Sequence, residues 1–263
     1  MSAKPWWVDL AKAHVLVEDE FTQALLATAW NDVSVRVEHV GGVGAVRAMG
    51  KDARGRKATT VFGVVDRDFA VSAGWTGESQ TYRLQRHEAE NYLLDFDVLA
   101  ELARDTSESL MREATSYALR CCPWMAARRT LMEIDHGLNE NFPGAPDLGQ
   151  QPPPSLDAAV ALVGSKAFWK GLRKKLKQHW ADVALRDLVH QHHGTFEAEV
   201  TNGRWAETFS GKEVLRHLGQ RFPKLALPEV DLAIRVARQW RARTRIPAEL
   251  ADLLAEIKRR AAR

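Results

Sequence analysis

Cysteine and long apolar runs are scarce in this sequence. Its 263 residues include only two cysteines, the adjacent Cys121 and Cys122, so a disulfide framework or a four-cysteine zinc site cannot be built from this chain alone. No stretch approaches the roughly 18 apolar residues that a membrane-spanning helix needs, and the first residues contain no apolar run typical of a signal peptide. We therefore expect a cytoplasmic protein that does not enter a membrane.

The loop that binds nucleotide phosphates in many ATPases is also missing. Its G-x-x-x-x-G-K-[S/T] pattern does not occur, because the segment Ser210-Gly211-Lys212-Glu213 lacks both the upstream glycine and the final hydroxyl residue. Any ATPase that acts together with this chain must be a separate polypeptide.

Charge is unevenly distributed, although the formal net charge is only +3. Residues 151–263 contain 21 Lys or Arg and 12 Asp or Glu, whereas residues 1–150 contain 16 and 22. Such separation suggests that one half attracts a polyanion while the other concentrates carboxylates. Basic tails also occur in proteins that never bind nucleic acid, so charge alone leaves both interpretations open.

Short apolar runs and helical patterns alternate in the first hundred residues. This alternation is typical of a parallel sheet flanked by helices, so we predict an α/β fold. Ligands in such folds lie outside the carboxyl ends of the strands. The predicted strands are residues 14–17, 33–40, 59–65 and 81–84.

Helical periodicity dominates from residue 96 onward, which predicts an all-helical C-terminal region. The predicted helices are 96–103, 109–119, 124–134, 155–163, 166–180, 182–193, 210–221, 229–244 and 247–262. Proline and glycine interrupt this helical pattern in one segment, residues 137–154. We therefore divide the chain into a metal-binding α/β domain at 1–105, a helical connector at 106–136, a linker rich in Pro and Gly at 137–154 and a basic helical domain at 155–263.

Acidic residues follow the predicted strands. Glu18 comes after the first strand, Asp66 and Asp68 after the third, and Glu90 after the fourth. Carboxylate oxygens are the ligands that Mg²⁺ and Mn²⁺ prefer, and carboxylates packed together without a cation would raise one another's pKa. An Asp-x-Asp pair alone is most often a solvated loop, but here it follows a buried strand. The sequence therefore predicts a divalent-metal site at this sheet edge.

Several segments resemble the Toprim fold, specifically its defence-associated branch related to overcoming-lysogenization-defect nucleases. The similarity covers about residues 12–100, and FSGKEVL at 209–215 is similar to a Gly-Lys segment in the helical region of that branch. The other matching segments are VLVED at 15–19, GGVGAV at 41–46, VFGVVDRDF at 61–69 and HEAENYLL at 87–94.

The resemblance implies roles for individual residues. Glu18 takes the place of the Toprim glutamate, Asp66 and Asp68 that of its Asp-x-Asp pair, and Glu90 that of the acidic residue before Asn-Tyr. Lys212 would stabilise charge on the phosphate, although it could also simply occupy the first turn of a helix.

The chain departs from the family pattern at two positions. Many relatives read Val-Glu-Gly followed by an Asp three residues beyond the Gly, whereas this chain has Asp19 and Thr22 there. One potential ligand is therefore missing.

The function that the resemblance implies is a metal-dependent nuclease that acts on DNA or structured RNA with Mg²⁺ or Mn²⁺. Related proteins are commonly paired with an ABC-type ATPase in anti-phage systems, so a nearby ATPase is the expected partner, and homo-oligomerisation stays open. The alternative is a Toprim-like adaptor or regulatory subunit that has lost catalysis and binds its ATPase partner.

Two basic clusters are candidates for binding the nucleic-acid backbone. Arginine and lysine there could contact phosphates with salt-sensitive affinity, or form solvated helix faces, or bind carboxylates of a partner. The candidate residues are Lys170, Arg173, Lys174 and Lys177 in one helix and Arg238 and Arg241 in another.

The histidines of the HQHHG segment invite a second metal hypothesis. The spacing of His190, His192 and His193 places neighbours on different helix faces, with no adjacent cysteine or carboxylate. We therefore expect exposed imidazoles at a helix end.

Overall fold

The computed structural model describes residues 13–68, 73–76, 80–137, 154–165 and 182–262. The chain divides into two compact units. The first consists of Met1–Leu110 together with Ser210–Arg263, and the second is Met111–Phe209.

A five-stranded sheet forms the centre of the first unit, which confirms the predicted α/β class. The strands are β1 (Ala13–Val17), β2 (Val35–His39), β3 (Val61–Val65), β4 (Gly74–Thr76) and β5 (Thr81–Arg83). Their order is β2-β1-β3-β5-β4, and all neighbours pair in parallel except β4, which pairs antiparallel with β5 at the edge. The three residues of β4 are too few for a detectable alternation, so the sequence did not predict this strand.

The central strands are buried, and apart from His14 their residues are apolar on both faces. All five residues of β1 and of β3 are buried, as expected for a parallel sheet covered by helices. Helix α1 spans Glu20–Trp30, and helix α2 spans Val43–Gly55. Val46 and Ala53 of α2 pack against Leu16 and Val65, which places one helix on this face of the sheet.

The last helices of the chain belong to the first unit. These are α8 (Gly211–Arg221), a 3-10 turn at Pro223–Leu225, α9 (Glu229–Ala242) and α10 (Ala248–Ala261). Helix α9 packs along α1 and buries Leu232, Val236 and Trp240. This division differs from the predicted basic domain at 155–263, because an apolar helix face in a sequence does not reveal which surface will cover it.

Helix α10 is fixed to the first unit by polar contacts around Glu249. One of its carboxylate oxygens accepts hydrogen bonds from the backbone N–H of Gln85 at 2.8 Å and the hydroxyl of Tyr82 at 3.1 Å, and the other accepts from the hydroxyl of Tyr92. Burial and the neighbouring Glu249 charge raise the pKa of Tyr82 to about 12. The indole N–H of Trp30 adds a 2.8 Å hydrogen bond to the carbonyl of Leu250.

Two short helices and one long helix follow the sheet. The 3-10 helix Ala89–Leu93 leads into α3 (Phe96–Ala103) and then into α4 (Ser107–Gly137). Helix α4 continues through Pro123, where we predicted two helices. Proline removes one backbone hydrogen bond, and the rest of this long helix tolerates that loss.

In the described part of the second unit, the other helices are α5 (Leu156–Ser165), α6 (Asp182–Thr201) and α7 (Trp205–Thr208). Cys121 and Cys122 are free and buried in α4. The expectation of exposed imidazoles is wrong for His192, which is only 9% exposed and lies 2.9 Å from the Glu133 carboxylate. It lies inside α6 rather than at its end, because α6 continues eight residues beyond the predicted boundary at 193.

Parts of the predicted organisation lie outside the described residues. These are the helix at 166–180 and nearly all of the linker at 137–154. No helix within the described ranges is long and apolar enough to cross a membrane.

We predict that Glu249→Ala destabilises the protein by about 2 kcal/mol, because two hydroxyls and a backbone N–H lose their shared acceptor. Urea unfolding followed by circular dichroism measures this change. Glu256→Ala is the matched control, since Glu256 lies on the same helix and its ion pairs among the described residues are with Arg259 and Arg260 at the surface. Equal losses in the two variants would contradict the assigned role of Glu249.

Candidate functional site

The carboxyl ends of β1 and β3 lie side by side, and an acidic residue follows each of them. Because Val17 pairs with Val64 in a parallel register, Glu18 and Asp66 emerge at the same edge of the sheet. The Glu18 carboxylate accepts a 3.0 Å hydrogen bond from the backbone N–H of Asp66. This contact holds the Glu18 side chain over the turn that contains the Asp-x-Asp pair.

That turn is attached to the loop after β5. The Asp66 carboxylate accepts a 2.9 Å hydrogen bond from the backbone N–H of Ala89. The Asp68 N–H donates to the carbonyl of His87 at 2.8 Å, and the His87 ring donates from Nδ1 to the Asp68 carbonyl at 2.7 Å. Asp68 has a left-handed backbone with φ of 47°, which aspartate tolerates better than most residues.

The structure thus brings together the four acidic residues that the sequence predicted. Burial raises the pKa of Asp66 well above its usual range, and so do the nearby carboxylates. In decreasing order of effect these carboxylates belong to Glu90, Glu18, Asp68 and Glu88. Like charges therefore concentrate around Asp66.

Burial also dominates the ionisation of the two neighbouring glutamates. Glu90 is only 7% exposed, and burial together with the Glu88 charge raises its pKa to about 8. Burial raises the pKa of Glu18 as well, and the hydrogen bond from Asp66 opposes this effect. The charge on Asp19 adds to the rise at both glutamates, so Asp19 also belongs to the acidic neighbourhood.

Glu88 is a site residue that the sequence reasoning missed. It caps the 3-10 helix in a reciprocal arrangement with Asn91, whose side-chain oxygen accepts from the Glu88 N–H at 2.9 Å. The Glu88 carboxylate also accepts from the Ser210 hydroxyl at 2.9 Å and from the Lys212 N–H at 3.3 Å. The spacing of Glu88 and Asn91 in the HEAEN segment resembles a capping box, so the capping role of Glu88 could have been predicted from the sequence.

A close backbone contact places the start of α8 beside the acidic loop. Ser210 caps α8, and Gly211 packs directly on the 3-10 helix. A Cβ atom at Gly211 would lie 2.5 Å from the backbone nitrogen of Asn91 and 2.7 Å from the carbonyl carbon of Glu90. Only glycine fits this position, so the Gly-Lys pair brings Lys212 next to Glu90.

The ammonium of Lys212 pairs with a residue that was not predicted. Its Nζ lies 3.3 Å from the carboxylate of Glu229, at the start of α9. Partial burial by itself lowers the pKa of Lys212, but the charges of Glu229 and then Glu90 outweigh it and raise the pKa. Lys212 is therefore a cation at neutral pH, on the border of the acidic cluster.

The acidic cluster supplies only hard oxygen ligands, as a divalent cation requires. In the parts of the chain that the structure describes, no three His, Cys, Asp or Glu side chains are arranged as a formed metal site. The hydrogen bonds described above use one carboxylate oxygen each of Glu18 and Asp66. A bound cation would offset the crowded negative charge. The residues therefore fit Mg²⁺ or Mn²⁺.

The predicted basic residues fall into two groups. Lys170, Arg173, Lys174 and Lys177 lie outside the described residues. Arg238 and Arg241 are exposed on α9, and Arg235 is exposed one turn before them. Because residues three apart on a helix are neighbours, these arginines form a continuous basic stripe.

Neither a protein family model nor a curated protein matches this chain. The chemistry of the acidic cluster and of its neighbouring cations is therefore the basis for proposing a function.

Gly211→Ala should lower the free energy of unfolding by about 1–3 kcal/mol, because the added methyl group must push α8 away from the 3-10 helix. Gly219→Ala is the matched control in the same helix. A Cβ atom there meets its nearest neighbour, the Cα of Ala226, at 3.4 Å, and alanine favours a helix. Urea unfolding of both variants measures the difference. A Gly211→Ala protein as stable as Gly219→Ala would refute the close contact.

The raised pKa of Glu90 predicts that stability falls as pH rises. Its usual carboxyl pKa is 4.5, but in the folded protein it is about 8. Between these values the folded state binds the extra proton, so the free energy of unfolding decreases by up to about 1.4 kcal/mol per pH unit. The glutamine side chain of Glu90→Gln stays neutral at every pH, so this variant should lose the part of the pH dependence of stability that Glu90 causes.

Urea unfolding between about pH 5 and about pH 8, without divalent metal, measures the effect of Glu90. Glu108→Gln, at an exposed position, is the control and should keep the wild-type slope. A Glu90→Gln protein with an unchanged slope would show that Glu90 ionises normally.

Proposed function

We propose that this protein is a divalent-metal-dependent nuclease that hydrolyses phosphodiester bonds of DNA or structured RNA. The observation that carries the proposal is the convergence of Glu18, Asp66, Asp68 and Glu90 at the carboxyl edge of the sheet, where ligands of open α/β folds bind. Crowded carboxylates with raised pKa values are typical of functional sites. The resemblance of their motifs to Toprim nucleases supports the same chemistry.

The four carboxylates would hold Mg²⁺ or Mn²⁺. When bound, such a cation stabilises negative charge on the scissile phosphate as a Lewis acid. Asp66 is the central ligand in this proposal, because the charges of the other three acidic residues all act on it. Its hydrogen bond from Ala89 and the contact of Glu18 with the Asp66 N–H orient the two side chains.

Two side chains of the site would handle protons and charge. Glu18 is partly exposed, and burial raises its pKa above the usual carboxyl value, which makes it a stronger base. Lys212 would stabilise charge on the phosphate, since it is cationic and lies beside Glu90. Glu88 would position Lys212 through its hydrogen bond from the Lys212 backbone.

The arginine stripe on α9 would bind the nucleic-acid backbone. Arg235, Arg238 and Arg241 are exposed, and α9 starts at Glu229, the partner of Lys212. The stripe therefore begins near the acidic cluster and extends away from it. Contacts of arginine with phosphates release counterions, so the affinity should decrease as salt increases.

A separate ABC-type ATPase would control this activity in an anti-phage defence system. The resemblance supports this partner, and the chain has no phosphate-binding loop of its own. Regulation by another protein would also prevent a nuclease from damaging the nucleic acid of its host.

The second candidate function is a catalytically inactive adaptor, and two residues favour it. Asp19 stands where many Toprim relatives have glycine, and its side chain is used to cap α1 by accepting from the Thr22 N–H at 2.7 Å. Thr22 stands where those relatives have aspartate, and it is buried. An adaptor would bind the ATPase partner but would not respond to metal.

Asp66→Asn should lower nuclease activity by roughly 100-fold or more while the fold is preserved, because a neutral amide replaces the central ligand. Asp52→Asn is the matched control, since Asp52 is exposed on α2 and forms an ion pair with Arg56 of the same helix. Cleavage of a panel of DNA and RNA in Mg²⁺ and in Mn²⁺, with and without the ATPase, measures the effect.

Metal titration of the same proteins distinguishes the two candidate functions. A nuclease should show a rise in melting temperature with Mn²⁺ that Asp66→Asn weakens and Asp52→Asn retains. Wild-type protein that neither responds to Mn²⁺ nor cuts any nucleic acid would favour the adaptor. An Asp66→Asn protein that cuts at the wild-type rate would refute the assigned site.

A further inference from the structure

A cavity of 310 Å³ lies beside the acidic cluster. It is lined by residues of α1, the first 3-10 helix, α8, the turn after α8 and α9, and it opens to solvent. This volume is at the lower end of the range for small-ligand sites. Its apolar wall consists of Phe21, Leu93, Leu215, Leu225, Leu227 and Leu232.

The polar residues of the cavity connect it to the candidate active site. Glu90 belongs both to the cavity wall and to the acidic cluster, and Lys212 and Glu229 line the cavity together. Arg216 and Gln220 complete the polar part of the wall. A molecule in the cavity could therefore place an anionic group at Lys212, next to the carboxylates, while its apolar part contacts the leucines.

We propose that this cavity receives the base of the nucleotide adjoining the scissile phosphodiester. This inference rests on the proposed nuclease function and specifies the substrate. A nucleobase is a flat ring system with apolar faces and polar edges, attached through its sugar to a phosphate. The cavity offers leucine side chains and the Phe21 ring beside a cationic Lys212. The side-chain amide of Gln220 can both donate and accept hydrogen bonds, as the edge of a base requires.

The cavity selects for bases that are not paired. A base inside a duplex must leave its stack to enter a protein pocket, and this cost is smallest when the base is already single-stranded or mismatched. We therefore infer that the substrate is single-stranded nucleic acid or an unpaired site, rather than a regular duplex. A lipid chain would leave the polar groups of Gln220 and Lys212 without a role.

Ala226→Trp tests the cavity without replacing a core residue. Ala226 lines the cavity but is itself exposed, so a large side chain there narrows the entrance. Ala251→Trp is the matched control, because Ala251 is exposed on α10 and does not line the cavity. Leu227→Phe, at a half-buried wall position, serves as a second narrowing variant should Ala226→Trp have a lowered melting temperature.

The first measurement is cleavage of a single-stranded oligonucleotide whose cut position has been mapped. Removing the base on either side of the cut, one at a time, should slow wild-type cleavage roughly tenfold at one of the two positions, since contact of a base with one aromatic side chain such as Phe21 contributes about this much. Ala226→Trp should cut the intact and abasic strands at similar rates. Ala251→Trp should keep the wild-type ratio of cleavage rates between the intact and the abasic strand.

The second measurement is binding, which does not depend on cleavage. An oligonucleotide with 2-aminopurine at the same position should change in fluorescence when wild-type protein binds in Ca²⁺, and this change should be lost in Ala226→Trp and kept in Ala251→Trp. If wild-type protein cleaves intact and abasic strands equally, the cavity inference fails and the nuclease proposal stands. If nothing is cleaved, the nuclease proposal fails, and oligonucleotides with 2-aminopurine placed at each position in turn decide whether the cavity binds a base.

Discussion

The close approach of α8 to the 3-10 helix is the contact on which the candidate site depends. Gly211 permits it, because any side chain there would collide with the backbone of Glu90 and Asn91. The Glu88 carboxylate then accepts from the Ser210 hydroxyl and the Lys212 N–H at the start of α8, where the helix dipole favours a negative charge. Through this contact a segment far along the chain brings the cation Lys212 to the acidic loop and supplies one wall of the cavity.

The acidic cluster is built at the expense of stability. Backbone hydrogen bonds from Asp66 and Ala89 orient the carboxylates, yet burial and mutual repulsion raise their pKa values. Such a group is stable only because the strands and α8 hold its members in place. Residues maintained in an unfavourable arrangement by the surrounding fold are characteristic of functional sites, since selection for stability alone would disperse them.

Local patterns in the sequence predicted most of the secondary structure and the four acidic residues. The apolar runs ending at Val17 and Val65 identify buried parallel strands, and parallel strands place the residues that follow them at one edge. The contacts of Glu88 with the start of α8 and of Glu229 with Lys212 could not be predicted in this way, because they join residues more than a hundred positions apart or two separate helices. For the same reason the sequence did not predict that residues 210–263 belong to the first unit.

The order of the chain separates the parts of the candidate site during synthesis. Glu18, Asp66, Asp68 and Glu90 leave the ribosome first, but Lys212 and α9 follow only after the whole second unit, Met111–Phe209. At roughly 5–20 residues per second this interval is on the order of 10 s. A nascent chain that has reached residue 110 therefore carries every acidic residue of the cluster without the lysine or the completed cavity, so the full site is assembled only late in translation.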